Sequence, residues 1–364
     1  MAEVLLLGAG NIGEAIAELL KRTDDYRLTV ADRDEKRLAA MPQGVRTMPI
    51  DVTDRAALKR ALSQHEVVMS ACPYFLNITI AELARELGVH YFDLTEDVAT
   101  AHRVRELAQG ASNVFIPQCG LAPGFISIAA NDLAQRFDKL NRVRMRVGAL
   151  PLFPSNALKY NLTWSTAGLI NEYCNPCHVI HDGKLREVLA LEGLEEFSLD
   201  GVTYESFNTS GGLGTLCETL AGKVDYLNYK TIRYPGHCEL VRFLCNDLRL
   251  SERRKLFEDV LEHAVPVTRQ DVVLIFVTVS GTRNGRLVEE TYTKKVYHGK
   301  IGGTELSAIQ ITTAAGICAA VDLFREGRLP QRGFLRQEQV ALPDFLANRF
   351  GSAVYSTAQL KTIQ

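Results

Sequence analysis

The chain has 364 residues, 46% hydrophobic and 23% charged, with a formal net charge of −2. At roughly 100–200 residues per domain this suggests two domains, each large enough to bury a core without disulfide or metal staples. No basic excess is present to drive nucleic-acid binding, and no apolar run is read as reaching the roughly 18 residues that a bilayer span needs.

The N-terminal MAEVLLLGAG enters a strand at once and has no basic leader, so a cytoplasmic location is expected. The spacing predicts a buried strand over 3–7 and a helix over 11–21 with an apolar stripe at Ile12, Ala15, Ile16 and Leu19. Strands follow over 27–31, 46–50, 66–70, 89–94 and 113–117, and helices over 55–62, 78–87 and 101–108. Strands separated by helices in this way imply βαβ units and a parallel sheet. A bridging helix is expected over 126–137. Residues 141–147 then alternate, Val143, Met145 and Val147 opposing Arg142, Arg144 and Arg146, which reads as a strand with one wet face. Asp182-Gly183, Asp200-Gly201 and Asn284-Gly285 mark hairpins of an open mixed sheet. A long helix over 306–325, rich in small residues and closed by Gly327 and Pro330, is expected to return to the first domain. The organisation expected is therefore a Rossmann domain over 1–123, a substrate and dimerisation domain over 124–303, and a C-terminal helix and tail over 304–364.

Gly8-Ala-Gly10-Asn11-Ile12-Gly13 is a G-x-G-x-x-G run placed between a strand and a helix, the context in which it binds a dinucleotide. Gly8 allows the tight turn, Gly10 the approach of the pyrophosphate, and Gly13 close helix packing. The pyrophosphate then meets the helix N-terminus. Asp32 ends the second strand 19 positions after Gly13 (32 minus 13), where the ribose-binding acid belongs. Its carboxylate favours NAD, while the adjacent Arg33 admits NADP. Asp51 and Val52 are expected beside the adenine.

Ligands of an open α/β sheet lie beyond the carboxyl ends of its strands. Ser70-Ala71-Cys72-Pro73-Tyr74, Asp93-Leu-Thr95-Glu96-Asp97 and Cys119-Gly120-Leu-Ala-Pro123-Gly124 are placed there, to reach the nicotinamide. Buried small residues at 72 and 119, and a helix cap at Asp93, are the plain structural alternatives. Lys230-Thr-Ile-Arg233-Tyr234-Pro235-Gly236-His237 groups three basic residues in a strand-to-helix turn, suited to a carboxylate. The eight cysteines are expected as reduced thiols. Cys174-Asn-Pro-Cys177-His178 has the spacing of a haem attachment, but with no export signal and no second C-x-x-C pair, neither haem nor metal is expected.

GAGNIG at the start, CPYF at 72–75, YFDLTED at 91–97, CGLAPGF at 119–125 and KTIRYPGH at 230–237 carry a resemblance over nearly the whole chain. It resembles the saccharopine dehydrogenase-like reductases, most closely the L-lysine 6-dehydrogenases, a likeness to which GLINEY at 168–173 and LEGLEEF at 191–197 add. The resemblance implies a Rossmann domain, a mixed-sheet substrate domain, a C-terminal segment that folds back, and oxidation of a carbon–nitrogen bond. It also implies that Tyr74, Asp93 and Cys119 line the reacting centre and that Arg233 holds a substrate carboxylate; Lys230 and Tyr234, from the same basic segment, are expected as further substrate-binding residues.

Hydride cannot leave a carbon that bears an ammonium, so the amine, with a pKa near ~10.4, must first lose a proton. Asp93 is the first candidate for that acid–base role and His237 the second. The reading is NAD-dependent oxidation of the terminal amine of L-lysine to an aldehyde that cyclises. Alternatives are a glutamate-forming saccharopine dehydrogenase, a carboxylated-polyamine reductase, or a non-catalytic dinucleotide-binding regulatory protein. The expected partners are a small amino acid and a second copy of the chain in a homodimer, with neither nucleic acid nor membrane.

Overall fold

The structure, a computed structural model, describes residues 1–356, so the tail over 357–364 lies outside the described residues. The chain divides into two compact units: Met1–Phe125 with Lys300–Leu306 and Gln310–Gln364, and Ile126–Gly299 with Ser307–Ile309.

In the first unit β1 (Ala2–Leu7), α1 (Asn11–Leu20), β2 (Tyr26–Asp32), α2 (Glu35–Ala39), β3 (Arg46–Pro49), α3 (Arg55–Leu62), β4 (Val67–Ser70), α4 (Asn77–Leu87), β5 (His90–Asp93), α5 (Val98–Leu107) and β6 (Val114–Ile116) follow one another. The short α2 lies where no element is read from the sequence. Asp34 caps it, accepting from the backbone N–H groups of Lys36 and Arg37, which is the common use of Asp at a helix start. Leu5, Leu7, Val68 and Tyr91 pack with Leu58, Leu62, Ile80, Leu83 and Val104 of α3, α4 and α5 into one apolar cluster.

In the second unit come α6 (Phe125–Ala134, which starts on the last residue of the first unit), β7 (Lys139–Pro151), α7 (Thr166–Cys174), β8 (Cys177–His181), β9 (Lys184–Val188), β10 (Glu195–Leu199), β11 (Val202–Asn208), α8 (Leu216–Thr219), β12 (Tyr226–Arg233), α9 (His237–Arg242), α10 (Arg254–Ala264), β13 (Asp271–Arg283) and β14 (Arg286–Tyr297). The eight strands form a mixed sheet in the order β10-β11-β12-β7-β13-β14, with β8 on β12 and β9 on β8. Only β12 and β7 pair in parallel; the other neighbours are antiparallel. The three expected hairpins form, and each turn has two residues at positive φ: Asp182 and Gly183, Asp200 and Gly201, Asn284 and Gly285. That is the geometry a two-residue hairpin demands. The strand at 141–147 is part of the longer β7, and its wet face is only partly wet. Arg142 and Arg144 are exposed, but Arg146 is buried, bonded to Asn228 Oδ1 at 2.8 Å and Glu195 Oε2 at 2.9 Å.

The chain then returns through β15 (Gly299–Ile301), β16 (Thr304–Leu306), α11 (Ala308–Arg325), β17 (Gly333–Phe334), α12 (Leu342–Ala347) and α13 (Arg349–Tyr355). β17 pairs in parallel with β6, so the first sheet has seven strands in the order β17-β6-β5-β4-β1-β2-β3. Phe324 of α11 packs on His90 and Phe92, with ring centroids 4.5 and 5.7 Å away. α11 corrects one expectation: by length and composition this 18-residue helix could cross a membrane, although most of it is buried in the protein. Its small residues are explained by packing, since a Cβ on Gly316 would lie 2.6 Å from the Cys119 carbonyl oxygen.

Candidate coenzyme and substrate sites

The turn between β1 and α1 is shaped by contact. A Cβ on Gly13 would lie 2.0 Å from the Gly8 carbonyl oxygen, and one on Gly8 would lie 2.8 Å from that of Ala71. A Cβ on Gly10 would meet only Arg37 Nη1, at 3.6 Å, so this face of the turn is open. Gly10 is the N-cap of α1, and no side chain caps the helix. Its first N–H groups are thus left for an anion, with the helix dipole in support. Asp32 Oδ2 accepts from Ala9 N at 2.7 Å and Oδ1 from Asp34 N at 2.9 Å. These residues fit the pyrophosphate and ribose of a dinucleotide, held by Asn11, Ile12 and Gly13 at the helix start and by Asp32. Arg33 and Arg37 are exposed nearby, Arg33 close enough to help hold the Asp51 carboxyl below its usual range. Asp51 itself accepts from Thr53 N and Oγ1 at 2.9 and 2.7 Å, and Val52 is buried in the apolar cluster.

At the carboxyl ends of β4, β5 and β6 the three expected segments do lie in one unit, but with unequal roles. Asp93 is wholly buried. Its carboxylate accepts from Tyr91 Oη at 2.6 Å, Thr95 N at 2.9 Å and Gln118 N at 2.9 Å. Burial pushes its pKa up against the pull of these donors. Three donors on a buried carboxylate make Asp93 the tie between the 93–97 and 117–119 loops. It is not the helix cap, a place taken by Asp97, which accepts from Thr100 N. Cys119 is buried too, its Sγ 3.0 Å from Ile116 O and 3.2 Å from Gln337 Nε2, and burial pushes its thiol pKa well up. A thiol held neutral is no nucleophile. Ala71, Cys72 and Tyr74 are half-buried and Pro73 exposed; burial raises the Cys72 thiol to about 12. Tyr74 stands edge-on to Phe75.

Glu96, within the same loop, is the group that sequence reasoning passed over. It is half-buried, and burial, helped by the charges of Asp97 and Asp93, raises its pKa to about 7. The DLTED motif names three acids, and only the fold shows the burial of Glu96 that raises its pKa.

In the second unit the basic segment is divided by strand periodicity. Lys230 and Arg233 are three residues apart on β12 and point to opposite faces. Lys230 and Arg146 share one carboxylate, Glu195, with Lys230 Nζ at 2.5 Å. Tyr234 donates to Pro151 O at 2.9 Å and stacks on Tyr204. Arg233 and His237 instead stand together, 3% and 1% exposed. Arg233 Nε donates to Tyr173 Oη at 3.2 Å, and its Nη1 to Ile232 O at 2.9 Å. Its guanidinium lies 4.9 Å from the Tyr160 ring centroid. His237 Nδ1 is 2.7 Å from Leu158 O and Nε2 2.9 Å from Tyr173 Oη. Nδ1 therefore carries the proton and Nε2 accepts from the tyrosine. Burial first and Arg233 second push His237 down to about 3. His237 is a neutral brace, which corrects its expected place as an acid–base group. The start of α9 is held by Glu205, which accepts from Gly236 N at 2.8 Å and Cys238 N at 2.6 Å.

Against the pull of burial, the Arg233 guanidinium is kept charged by Tyr173, Tyr160 and the buried Glu172 around it, and among the described residues the nearby buried Tyr160 hydroxyl has no hydrogen-bond partner. Burying a guanidinium costs several kcal/mol, of which a desolvated cation–π contact returns only about 2. The arrangement can therefore take up a carboxylate. Among the described residues no cluster of three or more His, Cys, Asp or Glu suits a metal ion.

Residues 4–114 match the family described as the saccharopine dehydrogenase NADP binding domain, and residues 120–351 that described as the saccharopine dehydrogenase C-terminal domain. The chain is 27% identical over 197 residues to the glutamate-forming, NADP-dependent saccharopine dehydrogenase of Schizosaccharomyces pombe, covering 52% of this chain and 44% of that protein. It is 22% identical over 340 residues to the mitochondrial alpha-aminoadipic semialdehyde synthase of Bos taurus, covering 85% of this chain and 34% of that one. It thus spans less than two thirds of these curated relatives. The apo structure of the glutamate-forming saccharopine dehydrogenase of Saccharomyces cerevisiae has the same fold, with a TM-score of 0.80 over 98% of both chains at 20% identity. With both family matches on the two units just described, the chain belongs to the saccharopine dehydrogenase family.

Proposed function

We propose that this chain oxidises a carbon–nitrogen bond of an amino acid with NAD, or with NADP, as the hydride acceptor. The observation that carries this reading is Arg233, a buried cation braced by Tyr173, in a chain whose first unit fits a dinucleotide. Arg233 binds the substrate carboxylate bidentately, the Tyr160 ring lies against its guanidinium, and Tyr173 with His237 fixes its plane. Within the first unit Glu96, poised near neutrality, is our candidate for an acid–base group. Bound coenzyme supplies the hydride-accepting chemistry; the imine left behind is then hydrolysed.

For the substrate we propose the terminal amine of L-lysine. The motifs at 168–173 and 191–197 support it, as does the use of Lys230 and Arg146 on Glu195, which leaves Arg233 for one carboxylate. A second reading, glutamate-forming saccharopine oxidation, is favoured by the names of the curated relatives. Formation of reduced coenzyme with a substrate series separates them. Lysine should react, ornithine poorly because its amine stops one carbon short, and cadaverine poorly for want of a carboxylate. Much faster oxidation of saccharopine with release of glutamate would establish the second reading. No coenzyme reduction with any amino acid would leave a dinucleotide-binding regulatory role.

A further inference from the structure

β14 is an edge of the second unit's sheet, and among the described residues only β13 pairs with it. Its 12 residues contain no proline and run beside β13 in unbroken register, from Arg283 opposite Arg286 to Val272 opposite Tyr297. A long regular edge is a template for another strand, and proteins usually shorten, bulge or cover it. Here the edge is its own complement. In an antiparallel pair with a two-fold axis at Tyr292, the numbers of facing residues sum to 584 (twice 292). Leu287 then meets Tyr297, Val288 meets Val296, Glu289 meets Lys295, Glu290 meets Lys294, Thr291 meets Thr293, and Tyr292 meets itself. Apolar residues face apolar ones and acids face bases at every step.

We propose that two copies of the chain join through β14, edge to edge and antiparallel, with Tyr292 on the two-fold axis. The homodimer expected from the sequence thereby acquires a specific surface. Opposite charges across a strand pair stabilise it and like charges oppose it, so the pattern also selects the register. With the axis moved to Thr291, Leu287 meets Lys295 and Val288 meets Lys294; with it at Thr293, Glu289 meets Tyr297 and Glu290 meets Val296. Exposure agrees with the pairing. Leu287 is 81% and Tyr297 49% exposed, apolar side chains at the two ends of the strand that the partner would cover. Tyr292 and Val296 are buried toward the core, while Glu289, Thr291 and Thr293 are exposed on the other face. Facing residues differ by an even number, so core face continues into core face and the two sheets become one. Glu290 is held at the edge by Arg136 and Arg283, and Lys295 by Asp200 at 2.8 Å.

Sedimentation of the whole chain over a concentration series should show a species of twice 40.3 kDa. Glu289→Lys alone sets two bases against each other at the 289–295 pair, and Lys295→Glu alone sets two acids there, each twice by symmetry. Either variant should raise the Kd of the dimer by about tenfold or more. Mixed in equal amounts the two should associate again, because both contacts between unlike chains then join opposite charges. The double variant Glu289→Lys/Lys295→Glu should dimerise by itself. Such rescue requires that each variant is folded and that residues 289 and 295 face each other across the axis. A monomeric wild type, single variants that dimerise as tightly as the wild type, or a mixture and a double variant that both stay monomeric would overturn the pairing.

Discussion

The backbone N–H of Ala9 donates to Asp32 Oδ2 at 2.7 Å, so the acid that ends β2 also holds the glycine turn in place. Ribose and pyrophosphate recognition are coupled through that bond. NAD is expected to be preferred. Asp32→Ala should cost NAD about ten- to a hundredfold in kcat/KM, the size of a lost hydrogen bond to a charged group. NADP should lose less, because Arg33 and Arg37 remain to meet a 2′-phosphate. Steady-state kinetics with both coenzymes decide this, and a wild-type preference for NADP would sink the claim.

Arg233→Ala should weaken the amino-acid substrate by roughly ten- to a hundredfold in kcat/KM and leave coenzyme affinity unchanged. Arg233→Lys should recover little, because an ammonium cannot grip a carboxylate bidentately. Equal loss of coenzyme binding in a titration would show that the residue serves only the fold.

Asp93 and Glu96 should separate cleanly. Asp93→Ala removes the acceptor of Tyr91 Oη, Thr95 N and Gln118 N, and leaving such a buried group unsatisfied costs about 1–3 kcal/mol. Its thermal midpoint should fall while turnover by the folded protein changes little. Glu96→Gln should keep the midpoint and lose a factor of roughly 10²–10⁴ in turnover, together with the limb of the pH–rate profile near 7. The reverse outcome would restore Asp93 as the acid–base group.

His237 gives a pH signature. Its folded pKa is depressed from 6.5 to about 3, so the unfolded chain binds the extra proton between those values. The stabilisation is fully present above 6.5 and is lost as the pH falls toward 3. Urea unfolding at about pH 7.5 and about pH 5 should show a drop that His237→Asn makes smaller. An unchanged drop in the variant would assign the acid lability to other groups.

Much of the fold is legible because it rests on local chemistry. The three hairpin turns have Asp-Gly or Asn-Gly in left-handed backbone, and the glycine run sits between a strand and a helix. What escapes depends on partners distant in sequence. β17 has two residues, too few to show any period. The burial of Arg146 follows from Glu195, which is 49 positions away. The burial of Asp93 under Tyr91 and Gln118 follows from partners that its own segment does not reveal. The division of Lys230 from Arg233 was within reach, since three residues along a strand always change face.

That α11 and β17 complete the first sheet sets an order on synthesis. When Phe125 leaves the ribosome, His90 and Phe92 have no Phe324 to cover them and β6 has an open edge. The whole second unit is made before those partners arrive, a delay on the order of ten seconds at about 5–20 residues per second. Through that interval the nascent first unit exposes an unpaired strand and aromatic surface, the condition under which chains need a chaperone.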